Sequence, residues 1–177
     1  NACHPYQSIN YVNSHDGFTL YDQVAYNERH NLANGEDNRD GHSDNYSWNC
    51  GWEGDEGASP EVLRLRRQQA KNFCCLVMLA NGTPMFCAGD EFLNTQFGNN
   101  NPYCQDNEIT WIDWEQADRG LVEFVSHALR VRRERLPLGN FWYDGESDRS
   151  GMPDIEWRSA EGASLDEAAW RSDDRAL

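Results

Sequence analysis

Residues 8–17 read Ser-Ile-Asn-Tyr-Val-Asn-Ser-His-Asp-Gly, a run rich in β-branched and aromatic residues that stops abruptly at a polar turn. This pattern predicts a short strand that ends in a loop at His15-Asp16-Gly17. Thr19 follows as the expected N-cap of a short helix over residues 20–26. The carboxylate of Asp16 is therefore expected directly after the end of a strand.

A second strand and a long helix are predicted farther along the chain. Ser59-Pro60-Glu61 predicts a helix start, because serine caps free N–H groups, proline has a suitable φ and glutamate favours the positive end of the helix dipole. Apolar residues then recur at helical spacing, and residues 81–84, Asn-Gly-Thr-Pro, end the helix. The all-apolar segment 85–88 predicts a strand buried on both faces, as in a parallel sheet covered by helices.

The order of these elements indicates the fold class. A second amphipathic pattern over residues 121–136 ends at Pro137, so the chain alternates strand, loop, helix, strand, loop, helix. Two βα units cannot close a sheet by themselves, but they can form the last two units of a (β/α)8 TIM barrel. We therefore predict an α/β fold with this barrel portion and its long polar loops over residues 1–140. The beginning of a β-rich C-terminal domain is predicted over residues 141–177.

The charge and composition exclude several classes of ligand. The 177 residues carry a net charge of −15, which disfavours nucleic acid and anionic membrane surfaces but is compatible with a neutral sugar. No apolar run approaches the roughly 18 residues of a membrane span. The first residues lack both an initiator Met and a secretory signal pattern, so we expect an internal cut or a processed end.

The cysteine and acidic patterns predict no cofactor and no catalytic metal. None of the cysteines is spaced as CxxC, and Cys74-Cys75 falls within a helical run, which favours reduced, mostly buried thiols in a cytoplasmic protein. Residues 36–47 depart from the EF-hand pattern at both ends, at Glu36 and Ser47, which leaves at most a weak structural calcium site. The six cysteines are Cys3, Cys50, Cys74, Cys75, Cys87 and Cys104.

Acidic and amide side chains follow both predicted strands. In such barrels the chemistry lies at the C-terminal ends of the strands, where Asp16 and the pair Asp90-Glu91 are placed. A carboxylate there can stabilise a cationic transition state or orient a hydroxyl, but it can equally be a turn or capping residue. The run Asn99–Asn101 offers amides for sugar hydroxyls, or simply a turn-rich loop. The same choice, between stacking on a sugar and pinning a loop to the core, applies to Trp48, Trp52, Trp111 and Trp114.

Several motifs together resemble one known family. Residues 9–20 are similar to the fourth conserved region of the α-amylase superfamily, in the version found in glycogen debranching enzymes and isoamylases. The similarity continues through residues 34–41 and 47–51, and then through residues 82–91 and 98–108. Gly151–Trp157 looks like the start of that family's C-terminal β domain. A lone His-Asp pair would be weak support, whereas this ordered series covers most of the chain.

The resemblance implies a catalytic barrel that hydrolyses α-1,6 branch linkages of glycogen-like glucans with retention of configuration. The carboxylate that supports the oxocarbenium-like transition state maps onto Asp16, and the adjacent sugar-contacting histidine maps onto His15. The nucleophile and the acid/base belong to earlier strands whose motifs are absent here, so we expect this chain alone to be inactive. The other expected substrate-binding residues are Asn100, Asn101, Asp90 and Glu91. Of these, Asp90 and Glu91 are expected to shape the site and not to act as catalytic groups. The expected partners are an α-glucan, such as glycogen or a limit dextrin, and the missing N-terminal part of the barrel.

Two further interpretations belong to other classes of function. The same loops could build a non-catalytic α-glucan-binding module, or the chain could be a structural relic without a ligand. An upstream coding sequence with a Gly-x-Arg-x-Asp nucleophile strand favours the enzyme, whereas a start codon near Asn1 favours the module. Titration with maltooligosaccharides separates both from the relic.

Overall fold

The computed structural model describes residues 4–136, 138, 144–147, 150–159 and 161–171. The chain divides into two compact units, Pro5–Leu138 and Asn1–His4 with Gly139–Leu177. The predicted domain boundary at residues 140/141, the helix stop at Pro137 and Cys3 lie outside the described residues. The assignment of the two segments to a barrel and a C-terminal domain stays a prediction.

The larger unit contains one described pair of parallel strands. Strand β1 (Ile9–Asn10) pairs with strand β2 (Thr83–Pro84), with Ile9 opposite Thr83 and Asn10 opposite Pro84. Two backbone hydrogen bonds flank the pair, from Thr83 N to Ser8 O and from Met85 N to Asn10 O, both 2.9 Å. The predicted parallel pairing is therefore present among the described residues.

The second strand differs from its prediction in position and in burial. It lies at residues 83–84 rather than 85–88, and residues 85–87 are half-buried while Ala88 is exposed, so the segment is not buried on both faces. The strand ends early because the Cys87 N–H donates to the Asp90 carboxylate at 3.0 Å instead of to a neighbouring strand. The Asp90 carboxylate thus accepts a hydrogen bond that would otherwise extend the pairing between the two strands.

Helix α2 begins at its predicted cap, whereas the helix predicted over residues 20–26 after Thr19 is shorter and begins later. Helix α1 spans Asp22–Ala25, with the Asp22 N–H donating to the Thr19 hydroxyl at 3.1 Å. Helix α2 spans Pro60–Leu79 and is capped by Ser59, whose hydroxyl accepts from Val62 N. Helix α3 spans Arg119–Arg135 with Asp118 as its N-cap, and helix α4 spans Glu167–Arg171. Short 3-10 turns lie at Pro5–Gln7, Leu32–Asn34 and Asp90–Phe92.

Two apolar clusters hold these elements together. The larger one joins helices α2 and α3 to the loop before α1, and burial of its apolar side chains stabilises the helix pair. The smaller one packs α1 against the loop that precedes α2. The larger cluster comprises Leu20, Ala70, Cys74, Met78, Leu121, Val125 and Ala128, and the smaller one Tyr21, Val24, Ala25 and Cys50.

The described cysteines are free thiols. The expectation that most would be buried is only partly met, since Cys50 and Cys74 are buried, Cys75 and Cys87 are half-buried and Cys104 is exposed. Burial raises the pKa of the Cys74 thiol to about 12, so this thiol is inert at neutral pH. No helix among the described residues is long and apolar enough to cross a membrane.

The smaller unit contains short antiparallel bridges between Ser147 and Pro153 and between Arg158 and Ser164. Trp157 and Trp170 pack edge to face with ring centroids 5.4 Å apart, which ties helix α4 to this unit.

Candidate active site

Asp16 lies on an exposed turn that follows β1. Its side chain is 68% exposed, and that of the neighbouring His15 is 90% exposed. The His15 Nε2 and Asp16 Oδ2 atoms are 3.4 Å apart, so the two side chains present a histidine and a carboxylate to one small volume. Gly17 closes the turn with φ +89°, a left-handed conformation that favours glycine. Both groups are free to contact a ligand.

Asp90 follows β2 but faces inward. Asp90 is 2% exposed. Its Oδ1 atom accepts hydrogen bonds from Leu20 N at 3.1 Å and from Asn13 Nδ2 at 3.2 Å. The other oxygen accepts from Cys87 N at 3.0 Å. Burial raises the pKa of Asp90 to about 6. This carboxylate bridges the segment after β1 to the segment after β2, and in this structure it offers no oxygen to a substrate.

Glu91 is half-buried and points elsewhere. Its Oε2 accepts from Gly89 N at 2.9 Å, which closes its own turn. It lines a cavity of about 550 Å³ together with Phe86 and residues of α2 and α3, including Val125 and Arg130. Neither side chain of the pair Asp90-Glu91 is brought beside Asp16 by any described contact. The capping interpretation accounts for the Glu91 hydrogen bond, whereas Asp90 joins two segments that are distant in the sequence.

The asparagine run also lies mainly inside the protein. Asn99 is 2% exposed and Asn100 is 1% exposed. The Asn100 amide donates to His42 O at 2.9 Å and to Asn45 Oδ1 at 2.6 Å, while its Oδ1 accepts from Asn31 at 2.8 Å. Its amide is therefore fully occupied, and a role in binding sugar hydroxyls would require that these bonds break.

Asn101 is the member of the run that borders open space. It is half-buried, and its Nδ2 donates to Asp40 Oδ2 at 2.8 Å. It lines a cavity of about 530 Å³ with Glu36, Arg39 and Tyr103 among its neighbours. The amide hydrogen bonds from Asn34 and Asn101 lower the pKa of Asp40, which keeps this carboxylate ionised. Asn101 thus borders this cavity, and its role in binding a sugar stays a prediction.

The polar segment over residues 27–59 is held in place largely by Arg66. Arg66 in helix α2 has 0% exposure and donates to the carbonyl oxygens of Gly54 at 2.8 Å, Ala25 at 3.3 Å and Asn49 at 3.0 Å. It also contacts the Trp52 carbonyl and the Asp55 carboxylate. A buried arginine that satisfies several carbonyls fixes a loop that has few apolar residues of its own.

A signal for Arg66 exists in the sequence. It precedes Ala70 and Cys74 at intervals of four residues, so it occupies the core-facing stripe of an amphipathic helix. An arginine at such a position predicts a buried polar partner network, because an unpaired charge there is prohibitively costly. Asn31, which binds Asn100, has no comparable signal, since it lies in an aperiodic segment.

Three of the tryptophans beside the loops make contacts within the protein, and their role in stacking on a sugar stays a prediction. Trp52 Nε1 donates to Glu56 O and Trp111 Nε1 donates to Asp106 Oδ1, both at 2.9 Å, which pins these rings to their own loops. Trp114 packs on Phe92 with centroids 4.9 Å apart. All of them keep about half of their surface exposed, so a ring face can still stack on a ligand.

Comparison with known proteins places this geometry in context. No protein-family model matches the chain. A glycogen operon protein, the GlgX homolog of Mycobacterium tuberculosis, is 45% identical over 179 residues, which cover 98% of this chain and 25% of that protein. The glycogen debranching enzymes of Dickeya chrysanthemi and Cronobacter sakazakii are 45% and 43% identical, over 94% and 100% of this chain. The chain spans about a quarter of the length of these relatives.

Solved structures give a similar picture. A pullulanase variant from Paenibacillus barengoltzii in complex with maltotetraose matches with a TM-score of 0.52 and 28% identity, over 75% of this chain and 16% of that one. The apo form of the same pullulanase matches equally well.

Proposed function

We propose that this chain, which is related to the glycogen debranching enzymes over nearly its whole length, supplies the last two βα units of their catalytic barrel. The protein that contains it cleaves α-1,6 branch linkages of an α-glucan such as glycogen or a limit dextrin, with retention of configuration. The segment beyond residue 140 begins its C-terminal β domain. The free thiols favour a cytoplasmic location for this protein.

The observation that carries the proposal is the placement of Asp16. It is an exposed carboxylate on the loop that follows strand β1 (Ile9–Asn10), which runs parallel to β2, and the loops at the carboxyl ends of parallel strands are where barrel enzymes hold their reacting groups. Its motif is also the one that resembles the fourth conserved region of the α-amylase superfamily.

Asp16 acts on the transition state. Glycosidic cleavage passes through a state with oxocarbenium-ion character, and a carboxylate held near the ring is attracted to that positive charge more strongly than to the neutral substrate. His15, 3.4 Å from Asp16, donates a hydrogen bond to an oxygen of the same sugar. Asn101 is a further contact to the glucan.

The remaining chemistry comes from outside this chain. Retaining hydrolysis needs two carboxyl groups about 5 Å apart on either side of the scissile bond. Asp90 is buried in its own hydrogen bonds and Glu91 caps a turn, so neither meets that requirement with Asp16. We therefore infer that the chain alone does not hydrolyse glucan and that its partner is the preceding part of the barrel.

The test compares the purified chain with the full-length gene product on amylopectin and on unbranched amylose, with new reducing ends as the readout. We expect the full-length protein to act on amylopectin and leave amylose intact, while the chain alone releases no new ends. Branch-point cleavage by the chain alone would show that it holds its own nucleophile and acid/base. If the full-length protein binds maltooligosaccharides but cleaves neither polymer, the chain belongs to a glucan-binding module instead.

A further inference from the structure

The turn that carries Asp16 is hydrogen-bonded to the backbone of the asparagine run, Asn99–Asn101. The Gly17 N–H, one residue after Asp16, donates to the Asn100 carbonyl at 3.1 Å. Because the side chains of His15 and Asp16 are largely exposed, packing of these side chains contributes little to the position of the turn. The location of the Asn100 backbone therefore helps to set the location of the Asp16 carboxylate.

Asn31 fixes Asn100 at two points. Asn31 Oδ1 accepts from Asn100 N at 3.0 Å, and Asn31 Nδ2 donates to Asn100 Oδ1 at 2.8 Å. The same Nδ2 group donates to Asp40 O at 2.9 Å, which ties the pair to the long polar segment. Asn31 has 0% exposure and Asn100 1%, so water does not compete for these bonds.

The surroundings leave this pair little freedom. The Asn31 N–H donates to Asn38 Oδ1 at 2.7 Å, so the backbone of Asn31 is itself anchored. Gly41 packs directly on the pair, since a Cβ atom there would lie 2.1 Å from Asn100 Oδ1 and 2.7 Å from Asn31 Nδ2. A buried and fully paired amide of this kind transmits a displacement rather than absorbing it.

We propose that Asn31 is a positioning residue for Asp16, acting through the Asn100 carbonyl and the Gly17 N–H. The proposal rests on the function proposed above, in which Asp16 stabilises the transition state. The proposal assigns a role to the polar segment over residues 27–59, because this segment places Asn31 in contact with Asn100. Asn31 does not itself touch the sugar, since its side chain is enclosed by protein.

The experiment uses the full-length gene product with three substitutions. Asn31→Asp keeps the acceptor for Asn100 N but removes both Nδ2 donations, and Asn31→Ala removes all of these bonds. Asn49→Ala is the matched control, because Asn49 binds Glu53 and Gly51 in the same polar segment and makes no described contact with Asn100. A misplacement of about 1 Å at a catalytic group can cost on the order of 100-fold in rate.

We expect both Asn31 variants to lower kcat on amylopectin by about 10- to 100-fold, with KM changed by less than about threefold. Amide hydrogen exchange at Gly17 becomes faster in both, because its acceptor is no longer fixed. Asn49→Ala leaves kcat and the Gly17 exchange rate unchanged.

A double-variant comparison separates positioning from general loss of structure. In an Asp16→Asn background the Asn31 substitutions should remove no further activity, since the group that they position is already gone. An equal further loss in that background, or unchanged Gly17 exchange in the single variants, overturns the proposal. Failure of the proposed function is distinguishable, because the unsubstituted protein would then cleave no branch points at all.

Discussion

Asp90 offers a sharp test of the structure, because its burial makes an unusual prediction about pH. Its carboxylate is enclosed between the segments after the two strands, and burial raises its pKa from 3.8 to about 6. Between these two values the folded chain holds a proton that the unfolded chain has released. The stabilisation from this proton is fully present below about pH 4 and is lost as the pH rises through about 6.

The perturbation is Asp90→Asn, which removes the titration while keeping an acceptor for Leu20 N and Asn13 Nδ2. The variant also places its amide NH2 group against the Cys87 N–H, and two donors cannot bond to each other. This lowers the free energy of unfolding by an amount that does not depend on pH, so it cancels when the variant is compared at two pH values. Linkage with a pKa of about 6 in the folded state and 3.8 in the unfolded state gives a difference on the order of 1 kcal/mol between about pH 5 and pH 7.5.

The assay is urea unfolding of the wild type and the variant at both pH values. Relative to wild type, Asp90→Asn should be less stable at about pH 5 than at about pH 7.5, by on the order of 1 kcal/mol. Asp16→Asn is the matched control, because its exposed carboxylate should change the free energy of unfolding by no more than about 0.5 kcal/mol at either pH. A difference of zero for Asp90→Asn, or one of opposite sign, would refute the burial of this carboxylate.

Two further predictions concern the ordering of the polar segment. Arg66→Met should lower the free energy of unfolding by about 2–4 kcal/mol, because it removes the side-chain donor to the Gly54 and Trp52 carbonyls. The exposed Arg64→Met in the same helix should change it by less than about 0.5 kcal/mol, and equal losses would contradict the burial of Arg66. Gly41→Ala should be more destabilising than Gly35→Ala in a thermal melt, since both have positive φ but only Gly41 has atoms within 4 Å of an added Cβ. The left-handed strain of about 1 kcal/mol or more is common to both glycines, so similar melts would show that Gly41 does not pack on Asn100.

The regular elements were predictable because their signals are local. The cap at Ser59 and the stop near Gly82 depend only on neighbouring residues, and helix α2 begins and ends accordingly. The Thr19 hydroxyl accepts from Asp22 N as a local signal predicts, but helix α1 begins only at Asp22 instead of at residue 20. The extent of the second strand was not predictable from its apolar residues. It is set by Asp90, whose carboxylate takes the Cys87 N–H away from the sheet.

The composition of the site was only partly predictable for a related reason. The position of Asp16 after a strand could be inferred from the turn pattern, and the exposed carboxylate agrees with that inference. The pairing of Asn31 with Asn100 joins residues 69 positions apart in two aperiodic loops. No periodicity or spacing predicts such a contact. The sequence therefore suggested Asn100 as a sugar-binding residue, whereas in the structure its side chain is hydrogen-bonded to Asn31.

The role of Asp16 is the centre of this account, and its replacement in the full-length gene product tests it most directly. The measurement is kcat for release of reducing ends from amylopectin by Asp16→Asn, with maltooligosaccharide binding measured on the same protein. The control is Asp44→Asn, which changes an exposed aspartate in the polar segment. We predict a loss in kcat of about 100-fold or more for Asp16→Asn with binding within about threefold of wild type, and no change for the control. An Asp16→Asn protein that cleaves branch points within about fivefold of the wild-type rate would contradict transition-state stabilisation by Asp16.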